Sequence, residues 1–547
     1  MTENYKESGL NNQIILIGRI PLILISLLLL IFLFLITLTW PINADHGNYF
    51  SLGDVILDGG MVYSDAWTMK GIFIPYFYAL LSLLFGDVSW GLRLVDIVIA
   101  SYGAVAGWYI INKLTDKYTA CIVTICYQVN YFNDYYLSAQ PEIWIAVVIT
   151  IMMAILFSDS GRFLKRNAII SGLLLTLIGS IKLPYLILCI LPVSYALIYC
   201  DRKFKNAVKF IIITGLVSLF STSLIMLWLF YNDALESMIE IQFGYAFQTH
   251  LKIIFVNEMM VIAGSSINDF FFDDNRIIYT VLFLPSIILL WIKMRKECIL
   301  LLIWFALALF MPLAQQKEYG TYLLLMVAPL VISSSFIIGK LKNTSYYLCC
   351  ILLIIFSFSH SLKQHIGPVT DYIMENGLSG EKFPYSKYPD DYNELIAVSD
   401  YLDKEENKNK KLLLLGSDGI LATYHFADMK PLTRFIPSFP IDFAEGERKD
   451  LYAKEILQEF YKSPPKYIIY NMPFYPMYSY FGKNNFLTEE IREIVHNNYY
   501  VEETIESYVV LRYMEYNICV TDPDYLYILF YYEAKQKKAG KSLDLNN

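Results

Sequence analysis

Two charged residues near the start of the chain are placed to do chemistry. Asp45 follows the apolar run Ile20 to Leu38 by a few residues, and Lys70 precedes a second apolar stretch, Ile72 to Phe85. If these runs lie in a bilayer, both side chains belong at its surface. A carboxylate can take the proton from an acceptor hydroxyl. An ammonium can neutralise charge gathering on a departing phosphate. Extracytoplasmic space holds no nucleotide sugars, so an activated sugar there must arrive on a lipid phosphate. The plain alternative is that both are interfacial charges, with Lys70 reaching for the headgroups. Residue chemistry alone leaves both readings standing.

The elements that must position this pair are apolar helices. The chain has 547 residues, 56% hydrophobic and 17% charged, with a mean hydropathy of +0.44. Soluble domains carry about 25% charged residues. Runs such as Ile20 to Leu38 and Ile211 to Phe230 can cross about 30 Å of hydrocarbon. The first run is too long for a signal peptide, and Thr39-Trp40-Pro41-Ile42 offers no small-residue cleavage site. Charge returns at ordinary density after residue 362. A membrane domain, 1–362, followed by a soluble domain, 363–547, is therefore expected. Eight cysteines, seven in or beside apolar runs, form neither a disulfide framework nor a zinc knuckle. A net charge of −8 and a pI near 5.4 argue against a nucleic-acid partner.

Lys and Arg enrich cytoplasmic loops, and here basic and non-basic connections alternate. The basic ones hold Lys113/Lys117, Arg162/Lys165/Arg166, Arg202/Lys203/Lys205/Lys209, Lys293/Arg295/Lys296 and Lys340/Lys342. The others are 40–89, the Ser138–Glu142 turn, the Lys182-Leu183-Pro184 turn, 232–275 and Gln315–Tyr319. The alternation holds only if Ile72 to Phe85, with Pro75 inside, is a juxtamembrane or re-entrant helix. Eleven spans follow: 14–39, 90–112, 118–136, 142–157, 167–181, 183–199, 207–231, 276–293, 298–314, 320–339 and 345–362. The N-terminus is then cytoplasmic and the C-terminal domain extracytoplasmic. Span 118–136 carries Gln128, Asn130, Asn133 and Asp134, so part of it must face protein or a wet cavity.

The stretch after the first span reads Asp45-His46-Gly47-Asn48-Tyr49, then Asp58-Gly59-Gly60-Met61-Val62-Tyr63-Ser64-Asp65-Ala66-Trp67-Thr68-Met69-Lys70-Gly71. This order resembles the first loop of GT-C glycosyltransferases, and within them the protein O-mannosyltransferase and aminoarabinose-transferase group. Weaker likenesses are Gln140-Pro141-Glu142, Lys317-Glu318-Tyr319 to Tyr322 with Pro329, and Gly416 to Phe435. Only the first loop is specific; the rest is order and spacing. The resemblance implies a polyprenyl-phosphate-linked sugar donor and a glycan, lipid or protein acceptor. It implies Asp45 as the base and Lys70 as the donor-phosphate ligand, with Tyr63 and Asp65 beside them. Relatives often follow the first acid with Glu, where this chain has His46. The role of a second acid then falls open: Asp65 can stand in, or His46 can bond the acceptor, or His46 is simply interfacial.

Other residues join the list with alternatives attached. Glu142 is either catalytic or a helix-start charge. Lys182, alone between two apolar runs, is a phosphate ligand or a snorkelling lysine. Arg276 can grip a phosphate bidentately, though Asp273-Asp274-Asn275-Arg276 is also ordinary turn chemistry. Lys317 and Tyr319 sit in an outer turn that can line the same cavity. Leu251 to Gly264 reads as a second interfacial helix. The six histidines share no metal-ligand spacing, so neither structural metal nor cofactor is expected. A loosely held divalent cation at the outer-loop acids is left open.

The last third carries apolar runs bounded by charge at Lys411 to Ser417 and Lys466 to Asn471, which read as buried strands. Glu447 to Tyr461 and Thr488 to Asn497 read as helices, and Tyr499 to Val501 with Tyr508 to Arg512 as a hairpin. A small α/β domain is expected, roofing the site by analogy to the family. Two other readings compete with an inverting transferase: a transporter or flippase of lipid-linked sugars, and a non-catalytic relative that binds lipid carriers. No internal repeat supports the transporter. The one Asn-x-Ser/Thr site, Asn343-Thr344-Ser345, falls in a predicted cytoplasmic loop, which fits a bacterial inner membrane.

Overall fold

The computed structural model describes residues 2–40, 42–86, 89–132, 138–158, 164–199, 204–245, 270–271, 276–315, 323–341, 344–359, 390–415, 420–436, 446–471, 494–495, 497–505 and 507–514. The chain divides into two compact units. One is Met1–Ile42 with Thr68–Lys387; the other is Asn43–Trp67 with Tyr388–Asn547.

In chain order the first helices are α1 (Thr2–Thr37), α2 (Ala44–Leu57), α3 (Phe73–Phe85), α4 (Ser89–Leu114), α5 (Lys117–Val129), α6 (Pro141–Ser158), α7 (Leu164–Ile181), α8 (Ile190–Tyr199) and α9 (Phe204–Tyr231). Helices Ile277–Lys293, Arg295–Gln315, Val327–Ile338 and Thr344–Ser359 follow. All but α2 belong to the first unit. Five helices are long and apolar enough to cross a bilayer: Ile20–Thr37 of α1, α4, α6, α7 and α9. The chain is an integral membrane protein.

Helices form at all eleven expected spans, and the juxtamembrane stretch is the separate helix α3. The clearest difference is α5, which stops at Val129 rather than running to 136. Its last turn meets the polar residues, and Asn130 Nδ2 donates to the Cys126 carbonyl at 3.1 Å instead of continuing an apolar run. The expected interfacial helix 251–264 lies outside the described residues.

Small residues let these helices approach closely, as they must where lipid supplies no hydrophobic drive. A Cβ on Gly103 of α4 would sit 2.9 Å from Val147 of α6, and one on Gly172 of α7 would sit 2.7 Å from the Thr214 carbonyl of α9. Thr214 Oγ1 returns a hydrogen bond to the Ala168 carbonyl at 3.1 Å. Helix α6 is 83% buried along its apolar window and α9 only 11%, so α6 is central and α9 peripheral.

The second unit is α/β, as expected. Its five-stranded sheet has the order β2-β1-β3-β5-β4, from β1 (Lys411–Leu415), β2 (Lys430–Pro431), β3 (Tyr467–Asn471), β4 (Tyr499–Ile505) and β5 (Tyr508–Tyr513). Strand β1 pairs parallel with β2 and β3; β5 runs antiparallel to β3 and β4. Helix Glu447–Lys462 buries Tyr452, Ala453, Ile456, Leu457 and Phe460, a helical stripe. The expected helix Thr488–Asn497 lies largely outside the described residues.

Residues 43–67 form part of this second unit rather than a loop of the first. Helix α2 lies on the segment 420–430 through specific contacts. Asp54 Oδ2 is 2.7 Å from His425 Nδ1, and Phe50 stacks on the His425 ring at 4.9 Å. Ser51 Oγ donates to the Leu421 carbonyl at 2.9 Å, and Asp58 pairs with Lys430 at 3.1 Å. Gly47 is required here, because a Cβ would stand 2.7 Å from both Cβ and N of Ala422.

Candidate functional site

In the membrane unit, three charged side chains expected separately come together. Glu142 Oε1 lies 2.7 Å from Lys182 Nζ and 3.8 Å from Lys70 Nζ. The carboxylate is 2% exposed, Lys182 12% and Lys70 20%. Charges this buried persist only when each neutralises another. Two ammonium groups thus face one buried carboxylate.

Local backbone chemistry explains the convergence. Lys182 follows the last turn of α7, and its Nζ stands 5.6 Å from the Tyr185 ring centroid. Lys70 is brought alongside by Gly71, whose N–H donates to the Ile181 carbonyl at 2.8 Å. Gln242, in the π-type turn Glu240–Tyr245, donates to the Lys70 carbonyl at 3.1 Å and the Thr68 carbonyl at 3.4 Å. Glu142 enters from α6, where Pro141 opens the helix with a φ already suited to it. An acid in that first turn also complements the helix dipole.

The turn that leads into α6 is held by two buried residues of α4, Asp96 and Arg93. Asp96, on α4, accepts from Ala139 N–H at 2.8 Å and from Trp144 Nε1 at 2.9 Å. Arg93, one turn earlier, donates to the Ser138 hydroxyl and reaches the carbonyls of Ser138 and Trp40, both at 3.5 Å. Both are buried. They fix the turn 138–140, including Ala139 at φ 57, immediately before Glu142. The signal was legible: two ionisable residues three apart inside an apolar span.

The second unit carries the first-loop candidates. Asp45 is exposed in the first turn of α2. Asn43 caps that helix, accepting from His46 N–H at 3.0 Å, and His46 Nδ1 accepts from Asn43 N–H at 3.2 Å. This reciprocal capping box gives buried His46 a structural task and fixes the first turn from which Asp45 projects. Asp65 Oδ2 accepts from Met61 N–H at 2.7 Å, organising its own turn. Tyr63 sits at φ 73 with its ring buried; its carbonyl accepts from Arg434 at 3.2 Å, and Arg434 pairs with Glu455 at 2.9 Å.

Arg276 caps helix Ile277–Lys293 and lies over the Phe270 ring, 4.4 Å from its centroid. Lys317 and Tyr319 lie outside the described residues. Among the described residues no three His, Cys, Asp or Glu side chains gather as metal ligands.

Residues 69–228, which hold Lys70, Glu142 and Lys182, match the family model of dolichyl-phosphate-mannose-protein mannosyltransferases. A search among curated proteins returned no match. Among solved structures, the chain is similar to ArnT from Cupriavidus metallidurans bound to undecaprenyl phosphate. The TM-score is 0.58 at 11% identity, covering 91% of this chain and 98% of that one. For apo ArnT the values are 0.53, 9%, 89% and 97%. The Archaeoglobus fulgidus oligosaccharyltransferase tethered to an acceptor peptide gives 0.50 at 12% identity, over 91% of this chain and 75% of that one. At such identities the likeness is one of fold. The expected resemblance to the GT-C group is borne out by the family model and the fold together.

Proposed function

We propose, for a chain with the GT-C glycosyltransferase fold, that it moves a sugar from a polyprenyl-phosphate carrier to a glycan, lipid or protein acceptor on the extracytoplasmic face of a bacterial inner membrane. The observation that carries this reading is the Lys70–Glu142–Lys182 cluster within the region matching the family model. Lys70 and Lys182 hold the carrier phosphate and neutralise the charge it gains on leaving. Asp45, on the capped end of α2, takes the proton of the acceptor hydroxyl. The acceptor oxygen bonds to the anomeric carbon from the face opposite the phosphate, the carbon–oxygen bond to phosphate breaks with its electron pair, and the configuration inverts. His46 holds the helix start. Tyr63 and Asp65 shape the turn that follows, and Arg276, Lys317 and Tyr319 are secondary phosphate or acceptor contacts. Because ammonium groups neutralise the leaving group, the reaction needs no cofactor, and a divalent cation is at most an accessory.

The test is to incubate the purified protein with polyprenyl-phosphate sugars and follow release of the lipid phosphate. Wild-type protein is expected to release it. Full turnover by Asp45→Asn would remove Asp45 as the base, and no release with any donor would remove the transferase reading.

A further inference from the structure

The contacts between α2 and the segment 420–430 follow one helix face. Gly47 packs on Ala422, Phe50 stacks on His425, and Ser51 Oγ donates to the Leu421 carbonyl. Asp54 meets His425, and Asp58, the C-cap, meets Lys430. At 3.6 residues per turn, positions 47, 50, 51, 54 and 58 fall within an arc of about 100°. Asp45 falls about 170° from the middle of that arc, on the opposite face. It is exposed there, while Gly47, Phe50 and Ser51 are buried.

His425 meets two of these residues, one turn apart on α2. Its Nδ1 is 2.7 Å from Asp54 Oδ2, and its side chain is 4% exposed. A carboxylate only accepts, so Nδ1 carries the hydrogen and donates. The short helix that carries His425, Thr423–Phe426, is tied to the sheet in turn. The Tyr424 hydroxyl accepts from Leu414 N–H of β1 at 3.1 Å. At the other end, the Asn43–His46 capping box fixes the first turn to the rest of α2. A rotation of the helix is therefore carried through to Asp45.

We propose that His425 is a positioning residue for the reaction, setting the rotation of α2 about its axis and so the placement of the Asp45 carboxylate. The inference rests on the reading of Asp45 as the base. His425 acts through α2 and neither takes nor gives a proton in the reaction. A helix with its side chains is about 10–12 Å across, so a rotation of about 10° carries the carboxylate about 1 Å. A misplacement of about 1 Å costs about 10²-fold in rate.

The test uses the full chain in lipid nanodiscs, a polyprenyl-phosphate sugar as donor, and release of polyprenyl phosphate as the readout. His425→Ala is expected to lower kcat by about 10²-fold. The donor KM should change little, since Lys70 and Lys182 hold the donor phosphate. Asp54→Ala removes the same bond from its more exposed side and should show the same pattern. Asp54→Asn keeps an acceptor for the ring N–H and should retain most of the rate. Arg512→Met breaks a 2.7 Å pair with Glu502 at the opposite edge of the sheet from β1 and β2, and should leave kcat near wild type. Hydrogen exchange at amides 44–50 should quicken in His425→Ala and not in Arg512→Met. On an Asp45→Asn background, His425→Ala should cost far less than it does alone, because both act through one group. An unchanged kcat in His425→Ala and Asp54→Ala overturns the positioning role. So does an equal loss in Arg512→Met, or a loss from His425→Ala that is undiminished in Asp45→Asn. Each of these leaves the transferase reading intact. Full turnover by Asp45→Asn instead removes the base, and no release by wild-type protein removes the transferase reading; either takes this inference with it.

Discussion

Gly71 packs its backbone directly on the carbonyl of Ser180, so closely that a Cβ would fall inside the oxygen's van der Waals surface. Lys70 and Lys182 flank this contact in sequence, and Gly71 N–H bonds to Ile181 at 2.8 Å. The side chain this position lacks is therefore what allows the two lysines to share Glu142. Gly71→Ala is expected to separate them and lower kcat/KM for a polyprenyl-phosphate sugar by about 10²-fold, the scale of a small misplacement. Steady-state kinetics checks this, with circular dichroism showing that the helices persist.

Asp96 satisfies two buried donors, Ala139 N–H and Trp144 Nε1. Asp96→Ala leaves both unpaired, so a loss of about 1–3 kcal/mol for each donor is expected. Trp144→Phe removes one donor and one bond, at a cost of about 1 kcal/mol. Thermal unfolding in detergent should rank the two variants in that order.

The contact of α2 with the C-terminal segment is equally specific. Gly47→Val would drive a side chain into Ala422, 2.7 Å away, where overpacking costs about 1–3 kcal/mol. Hydrogen exchange should quicken at both 44–57 and 420–427. Faster exchange at one segment alone would show that they do not depend on each other.

Lys411 Nζ bonds to Glu459 at 2.9 Å and holds that carboxyl below its usual range. A carboxylate whose pKa is lowered on folding contributes stability above its unfolded pKa, about 4.3, and loses it as pH falls through the folded value. The pair is partly exposed, so its contribution is no more than about 1 kcal/mol. Lys411→Met should cost up to about 1 kcal/mol at neutral pH and little in strong acid, so that stability falls less steeply below about pH 4.3, as read by denaturant unfolding followed by tryptophan and tyrosine fluorescence at several pH values.

Much of the membrane unit was legible because its helices announce themselves as long apolar runs with charge between them. Lone cations at span ends, Lys70 and Lys182, were legible for the same reason. Their shared partner was not, because Glu142 lies 40 residues from Lys182 and only helix packing decides which acid meets which lysine. Helix α2 was hidden by its composition: His46, Gly47, Asn48, Ser51 and Gly53 break any apolar period, and its packing face is defined by a segment some 370 residues away. Strand β2 escaped notice because two residues, one of them proline, carry no strand signal.

The central claim is that Lys70 and Lys182 hold the phosphate of a lipid-linked sugar while it leaves. The most direct measurement is donor turnover by the Lys70→Gln/Lys182→Gln double variant, alongside its thermal stability. The account predicts that kcat/KM falls by about 10²–10³-fold or more in a protein that still folds. Turnover at the wild-type rate in a well-folded double variant would contradict it.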